Sequence, residues 1–209
     1  MFITFEGSEG AGKTTAIAIV AARLREVGRS VLVTREPGSG AFGAQVREIL
    51  LHGEAMAAES ELFLFLADRA NHVRNVILPA LDRGDLVLCD RYADSTFVYQ
   101  AIVRGLDREF VARANEFATG GLAPNMTFLF DLAPEIGLGR LASRDRLDRE
   151  PIEFHRRVRQ GFLDLAAVNQ GRWRVLDATT SPESLSGAVL EWLAEHDAGQ
   201  ASLPFEHSS

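Results

Sequence analysis

The chain has 209 residues, which is enough for one full domain with a substantial core and short for two. Apolar residues make up 46% and charged residues 24% of the chain, the balance of an ordinary globular protein. The net charge of −7 argues against a general nucleic-acid or membrane surface, so an anionic ligand would need local clusters of Arg and Lys.

The single cysteine, Cys89, excludes an intramolecular disulfide, and no Cys/His spacing around it suggests zinc. No apolar run reaches the length of a membrane span, and the N-terminus lacks the basic and apolar regions of a signal peptide. We therefore expect a cytoplasmic protein without nucleic-acid or membrane partners.

The first element is a short buried strand at residues 2–5, followed directly by the sequence GSEGAGKT at residues 7–14. This sequence is the G-x-x-x-x-G-K-T pattern of a phosphate-binding loop, whose main-chain N–H groups surround a phosphate at the start of a helix. Lys13 is expected to reach the outer phosphates of ATP, and the Thr14 hydroxyl to coordinate Mg²⁺. A chance glycine-rich turn is disfavoured, because a strand precedes the motif and a helix follows it. The predicted ATP-binding residues are Gly7, Ser8, Glu9, Gly10, Ala11, Gly12, Lys13, Thr14 and Thr15.

Helical spacing continues to residue 27, where Gly28 ends the helix, and a second strand follows at residues 30–34. A turn-rich loop at 35–40 leads into a helix near 43–51. A longer helix is predicted over 59–82, with Pro79 bending or shortening its end. Its expected apolar stripe consists of Leu62, Phe63, Leu66, Ala70 and Val73.

A third strand at residues 86–90 ends in Asp90, where this architecture needs a carboxylate for Mg²⁺ and its waters. The remaining chain predicts helices at 94–103, 107–118, 134–143, about 153–168 and 182–195, and strands at 126–131 and 173–177. Strands that alternate with helices predict a three-layer, doubly wound α/β fold with five parallel strands. We predict one domain over residues 1–196, with a short charged lid at about 143–153 and a flexible tail at 197–209.

Several sequence blocks resemble thymidylate kinases, and the bacterial type in particular. They are FEGSEGAGKTT at 5–15, TREPG at 34–38, FLADR at 65–69, DRYADSTFVYQ at 90–100, RGLD at 104–107 and LDRE at 147–150. The resemblance implies an enzyme that transfers the γ-phosphoryl group of ATP to dTMP with Mg²⁺. Arg-Glu-Pro-Gly followed by Asp-Arg-Tyr and Tyr-Gln is more specific to this family than the phosphate loop.

The chemistry of the acceptor site can be read from the residue types. Arg35, Arg47 and Arg91 follow strands or begin helices, where guanidinium groups can hold a monophosphate bidentately. The alternative for any single Arg is a surface salt bridge, and for Arg47 the two interpretations are nearly balanced. By resemblance, the dTMP-binding residues are Glu9, Arg35, Arg47, Phe65, Arg69, Arg91, Ser95, Tyr99 and Gln100.

Within this set, the resemblance implies that the base stacks on Phe65 and meets Arg69 and Gln100 at its polar edge, while Ser95 and Tyr99 line the sugar pocket. Phe65 could instead belong to the core. Glu9 is an unexpected anion beside phosphates and needs a positive partner. The predicted catalytic residues are Lys13, Glu9, Arg91 and Arg149.

The predicted lid carries Arg144, Arg146 and Arg149, and the phosphate loop itself lacks a basic residue at its variable positions. Bacterial thymidylate kinases share this division, which implies that a lid arginine, best matched by Arg149, stabilises the transition state on closure. The alternative is a solvated charge run. The family is usually homodimeric, and the apolar helices at 59–78 and 94–117 could supply an interface or be core.

Two other functions fit the phosphate loop. One is a kinase of the same fold that acts on another nucleoside monophosphate or on a deoxynucleoside. The other is a nucleotide-dependent switch that binds ATP without transferring phosphate. Asp90-Arg91-Tyr92 and Tyr99-Gln100 argue against a switch, which needs no acceptor pocket.

Overall fold

The fold is built on a five-stranded parallel sheet with the strand order β2-β3-β1-β4-β5. The computed structural model describes residues 1–200, and the side chains of residues 1–196. The central strands are mostly apolar and are buried along almost their whole length, because helices cover both of their faces. The strands are β1 (Phe2–Gly7), β2 (Val31–Arg35), β3 (Leu86–Asp90), β4 (Met126–Asp131) and β5 (Trp173–Asp177).

Helices connect these strands and cover the sheet. The two segments with π-helical hydrogen bonding are named π1 (Val73–Ile77) and π2 (Phe97–Val103). The α-helices are α1 (Lys13–Glu26), α2 (Gly40–His52), α3 (Ala58–His72), α4 (Leu78–Asp82), α5 (Ala93–Thr96), α6 (Arg108–Thr119), α7 (Pro134–Gly139), α8 (Ile152–Val168) and α9 (Pro182–Gln200).

The predicted α/β class with five parallel strands is confirmed, and β3, β4 and β5 have the predicted bounds. The helix predicted over 59–82 is instead divided into α3, π1 and α4. Pro79, which has no N–H and would crowd the carbonyl of Asn75 in a regular α-helix, is the second residue of α4, immediately after the π1 segment and Leu78. Where the sequence predicts that Pro79 bends or shortens the helix, the structure shows a change of hydrogen-bonding pattern from α3 through π1 to α4.

The apolar stripe predicted on α3 was partly wrong. Phe63 is 56% exposed and meets the ring of Phe110 edge to face, and Ala70 is also exposed. The buried face of α3 is formed by Leu62, Leu66 and Arg69, which follow each other at four and three residues. Phe63 lies about 100° around the helix from Leu62 and therefore points away from the core.

The core has two halves, one on each face of the sheet. On one face, α1 and α9 pack on β1 and β4 around Phe5, Phe128 and Trp192. On the other face, α8 and π2 pack on β4 and β5, and π1 and α4 pack on β3. The carboxyl ends of all five strands therefore share one edge, where the loops of an open α/β sheet bind ligands.

The C-terminal helix α9 is longer than predicted. It reaches Gln200, so the first four residues of the tail predicted at 197–209 continue this helix, and residues 201–209 lie outside the described residues. None of the helices that the structure describes is both long and apolar enough to cross a membrane.

Candidate active site

The phosphate loop connects the end of β1 to the first residue of α1, as its sequence predicts. Gly10 has a φ of 67°, and a Cβ at this position would lie 2.1 Å from the main-chain oxygen of Gly137 in α7. Only glycine allows the loop to approach α7 so closely. The loop thus lies over the start of α1, whose first N–H groups and positive dipole end favour an anion.

Lys13 is buried beneath the loop with its ammonium group close to main-chain oxygens. Lys13 Nζ donates to the carbonyl oxygens of Gly7 and Ser8, both at 2.9 Å. Burial lowers the pKa of Lys13 to about 8, and the positive charge of Arg91 adds to the effect. Phosphate oxygens at this site would stabilise the charged form, so the site favours an anion of high charge.

The residues predicted for magnesium, Thr14 and Asp90, lie together at the ends of α1 and β3. Thr14 Oγ1 donates to Asp90 Oδ2 at 3.0 Å, and Asp90 Oδ1 is buried without a hydrogen-bond partner. A hydroxyl and a carboxylate with an unsatisfied oxygen suit a hard cation that keeps part of its water shell. The two residues therefore fit the Mg²⁺ ion that the sequence predicts.

Arg91 follows β3 in a left-handed backbone conformation, with a φ of 68°. This conformation is costly for a residue with a side chain and is often found at functional sites. Arg91 Nη2 donates to Glu9 Oε1 at 2.7 Å, and Nη1 donates to Ser95 Oγ at 3.2 Å. The guanidinium carbon also lies 5.5 Å from the centre of the Tyr99 ring. This backbone conformation thus directs the Arg91 side chain toward Glu9 and Ser95.

Glu9, the anion within the phosphate loop, has the positive partner that the sequence required. Besides Arg91, the Tyr99 hydroxyl donates to Glu9 Oε1 at 2.6 Å. Burial alone would raise the pKa of Glu9, but Arg91, His155, Lys13 and Tyr99 outweigh it and hold this pKa well below its usual range. Glu9 Oε2 remains buried without a hydrogen bond, 3.6 Å from His155 Nδ1. Glu9 is therefore an ionised carboxylate whose Oε2 is enclosed by the protein beside His155.

Glu6 is a buried carboxylate that the sequence analysis did not single out. Its Oε1 accepts from the main-chain N–H of Tyr92 at 2.9 Å, and its Oε2 accepts from the Ser95 hydroxyl. Burial, and then the negative charge of Asp94, raise the pKa of Glu6 to about 7. Glu6 fixes the chain after β3 and thereby the position of Arg91.

The far wall of the site contains a fully buried arginine, Arg69. Its Nε donates to Glu36 at 2.8 Å, and its Nη1 donates to Thr96 and Asn115 at 2.9 and 2.6 Å. Three residues from different parts of the chain thus fix this guanidinium, while Nη2 makes no hydrogen bond to any residue that the structure describes. Arg69 is 1% exposed, so the alternative of a surface salt bridge does not apply to it.

One cavity of about 490 Å³ joins the phosphate loop to Arg69 and Gln100. This volume is typical of a small-molecule site. Most of the predicted site residues line it: Glu9, Gly10, Ala11, Gly12, Lys13, Thr14, Thr15, Arg35, Arg47, Phe65, Arg69, Asp90, Arg91, Ser95, Tyr99 and Gln100. Gly7 and Ser8 do not line the cavity and instead supply the carbonyls that hold Lys13.

Two of these wall residues had ambiguous predictions. Arg47 Nη1 donates to the carbonyl of Pro37 at 2.9 Å and lies near Arg35, whose charge, after burial, lowers the pKa of Arg47. Arg47 is therefore part of a positive wall rather than a salt bridge. Phe65 is half-buried against the apolar cluster that contains Val46 and Leu50, and it also lines the cavity. It is therefore both a core residue and a residue of the cavity wall.

The three predicted lid arginines lie outside the cavity wall and differ in their contacts. Arg146 is held to the body of the protein, since its Nη2 donates to Glu61 at 2.6 Å and its Nε donates to the carbonyl of Leu50 at 2.8 Å. Within the described residues, the one hydrogen bond of the Arg144 side chain is from Nη2 to the carbonyl of Leu138, at 3.4 Å. Arg149 is exposed and has no hydrogen bond or ion pair to the described part of the chain.

The cavity also contains residues that the sequence analysis missed. Arg140 lines it from the end of α7, and its Nη1 donates to the carbonyl of Gly10 at 3.3 Å. Asp145 and Asp148 line it from the predicted lid. Arg140 could have been noticed as a basic residue at the end of the short helix after β4, because this helix follows a strand that ends at the same sheet edge as the phosphate loop.

A parallel sheet in this strand order, with a phosphate loop after β1 and arginines across the same cavity, defines a P-loop kinase of the nucleoside monophosphate type. The thymidylate kinase family model matches residues 5–189, so the chain belongs to the thymidylate kinase family. It is 52% identical to a thymidylate kinase of Thermomicrobium roseum over 198 residues, covering 93% of this chain and 94% of that one. It is 48% identical to one of Nitratidesulfovibrio vulgaris, with 96% and 97% covered.

A solved structure has the same architecture. The crystal structure of thymidylate kinase from Ehrlichia chaffeensis superposes with a TM-score of 0.77 at 33% sequence identity. The match covers 92% of this chain and 98% of that one. The resemblance inferred from the sequence blocks is therefore confirmed over nearly the whole chain.

Proposed function

We propose that this protein transfers the γ-phosphoryl group of ATP to dTMP, giving dTDP and ADP. The observation that carries the proposal is the single cavity that joins a phosphate-binding loop to the Arg69–Gln100 wall. One end suits a triphosphate, and the other offers a fixed arginine and an amide to a base. Two anionic nucleotides can therefore meet end to end over the carboxyl edge of the sheet.

Phosphoryl transfer needs positioning and positive charge around the moving group more than a covalent participant. Lys13, released from the carbonyls of Gly7 and Ser8, would hold the outer phosphates of ATP. Arg91 lies between the two ends of the cavity and would neutralise the charge that develops on transfer. Thr14 and Asp90 would hold Mg²⁺, which when bound would withdraw negative charge from the ATP phosphates.

On the acceptor side, Arg35, Arg47 and Arg91 would hold the dTMP phosphate, and Phe65 would stack on the base. Ser95 and Tyr99 would line the sugar pocket. Glu9, an ionised carboxylate that lines the cavity, would accept a hydrogen bond from the 3′-hydroxyl of the acceptor sugar. These roles are those that the family resemblance implies, and they are supported by the position of each residue in the wall of the cavity.

Among the lid arginines, Arg149 is the one we propose to enter the site on closure. Arg146 is already paired with the buried Glu61, whereas Arg149 is exposed and without a partner in the described part of the chain. Its movement would therefore break no existing ion pair.

We further propose a cytoplasmic homodimer with Mg²⁺ as the metal and a single domain. The apolar surface of α3 and α6 supports the dimer, since Phe63, Phe110 and Phe117 are 56%, 50% and 91% exposed. An exposed cluster of aromatic rings of this kind is typical of a protein interface.

The test is transfer of label from ATP labelled at its γ-phosphate, with Mg²⁺ and dTMP, dUMP, dCMP, dGMP or thymidine as acceptor. We expect the highest kcat/KM for dTMP, with the label recovered in dTDP. Preference for thymidine would assign the protein to the deoxynucleoside kinases. Release of the label as inorganic phosphate with every acceptor would indicate a switch.

A further inference from the structure

Gln100 and Arg69 both line the end of the cavity that faces the base. Gln100 is 1% exposed, and its amide carries one group that donates hydrogen bonds and one that accepts them. Which of the two points into the cavity decides which bases can be bound. The orientation of a glutamine amide has to be inferred from its partners, because oxygen and nitrogen are nearly indistinguishable by shape.

The partner of this amide is Glu61, a buried carboxylate on the first turn of α3. Gln100 Nε2 donates to Glu61 Oε1 at 2.8 Å. Glu61 is 1% exposed and also accepts from Arg146 Nη2 at 2.6 Å and from both ends of the Arg104 guanidinium at 3.3 Å. Burial would raise the pKa of Glu61, but the hydrogen bonds from Arg146, Arg104 and Gln100 outweigh it and lower this pKa. Glu61 is therefore ionised.

An ionised carboxylate accepts hydrogen bonds and cannot donate them. The nitrogen of the Gln100 amide must therefore face Glu61, and its oxygen must face the other way. Gln100 Oε1 accepts no hydrogen bond from the described residues. Unlike Glu9 Oε2, this unpaired oxygen is not fully enclosed by the protein. It is thus accessible from the cavity that Gln100 lines.

We propose that Glu61 is a positioning residue for base selectivity, because it locks the Gln100 amide with its oxygen toward the base. The wall then presents a donor, Arg69 Nη2, beside an acceptor, Gln100 Oε1. This pair matches a pyrimidine with a 4-keto oxygen and an N3–H group, and it opposes cytosine, whose N3 accepts and whose N4 donates. The proposal rests on the proposed function.

The test compares kcat/KM for dTMP, dUMP and dCMP in the parent protein and in Glu61→Gln. A neutral glutamine at 61 can donate or accept, so Gln100 becomes free to flip toward cytosine. We expect the dTMP:dCMP ratio to fall by at least about tenfold, through the KM values rather than kcat. The dTMP:dUMP ratio should change less than about twofold, since both bases present the same polar edge.

The matched control is Glu150→Gln. It removes the same charge from the same cluster, because Glu150 Oε1 pairs with Arg104 Nη2 at 2.7 Å, but it leaves the bond between Gln100 and Glu61 intact. Its dTMP:dCMP ratio should equal that of the parent. If Glu61→Gln does not fold, the double variant Glu61→Gln with Arg146→Gln keeps the charge of the cluster and gives the same test.

The outcomes separate the two proposals. A parent protein that does not phosphorylate dTMP would refute the proposed function. A parent that does so, with a folded position-61 variant of unchanged dTMP:dCMP ratio, would refute the role of Glu61 alone. Equal loss of the ratio in Glu150→Gln would also refute it, because the effect would then come from the charge cluster and not from the amide.

Discussion

The phosphate loop allows one prediction to be worked out from geometry, because a Cβ at two of its glycines would meet very different surroundings. Gly10 and Gly12 both have positive φ, 67° and 85°. A Cβ at position 10 would lie 2.1 Å from the oxygen of Gly137 and 2.7 Å from its carbonyl carbon. A Cβ at position 12 would meet nothing within 4 Å. Gly12→Ala is therefore a matched control for Gly10→Ala.

Both substitutions place a side chain in the left-handed region, which costs about 1 to 2 kcal/mol for an L-residue. The lower conformational freedom of the unfolded chain returns about 0.4 to 1 kcal/mol in each case. Gly10→Ala has a further cost, because the loop or α7 must move to relieve the overlap with Gly137, and overpacking costs roughly 1 to 3 kcal/mol. We therefore expect Gly12→Ala to lose about 1 kcal/mol of unfolding free energy and Gly10→Ala about 3 kcal/mol.

Urea unfolding, followed by circular dichroism, measures both free energies in the absence of nucleotide. Equal losses in the two variants would refute the reasoning, since they would mean that the close approach of the loop to α7 contributes nothing. A larger loss in Gly12→Ala would refute it as well.

Two further predictions concern charged groups of the site. Lys13→Ala should lower kcat by about 10² to 10³ in the labelled-ATP assay, because it removes positive charge from the transferring phosphates; an unchanged kcat would exclude Lys13 from transfer. Glu6 has a pKa of about 7 when folded, against an ordinary value of 4.5, so the folded state binds its proton more tightly and stability falls as pH rises from about 4.5 to 7. Glu6→Gln should remove this loss, so we expect the variant to be more stable than the parent by about 3 kcal/mol at pH 8 and equally stable near pH 4.5. Urea unfolding at both pH values measures the two differences. The same pH dependence in parent and variant would contradict the assignment to Glu6.

The strands and the phosphate loop could be predicted because their signals are local. A short apolar run such as Leu86–Asp90, bounded by polar residues, is typical of a strand that is buried on both faces. The glycine pattern at 7–12 is seldom found outside phosphate-binding loops. The arginines after the strands could be predicted as site residues from topology, because parallel strands all end at one edge of the sheet.

The π-helical segments could not be predicted from sequence. In a π-helix the backbone hydrogen bonds join residues five apart instead of four apart. This change leaves the apolar pattern of the sequence nearly unchanged, yet it alters the direction of neighbouring side chains. Two adjacent residues of π2, Tyr99 and Gln100, both line the cavity. The sequence indicated both residues, but it did not indicate the backbone that presents them together.

Partners distant in sequence were also beyond prediction. The pairing of Arg146 with Glu61 spans 85 residues, and a charge run at 143–153 does not show which of its members is held to the body of the protein. The exposure of Phe63 was also missed. Phe63 is apolar and adjacent to the buried Leu62, so the sequence alone placed both in the predicted apolar stripe of α3. In each case the packing of other elements made the choice.

The central claim is that dTMP and ATP bind at opposite ends of one cavity, with Arg91 between them. A crystal structure of the protein with dTMP tests this claim most directly. We predict the base against Arg69 and Gln100, and the phosphate beside Arg91 and directed toward the phosphate loop. The thymidylate bound elsewhere, or in this cavity with its base at the phosphate loop, would contradict the account.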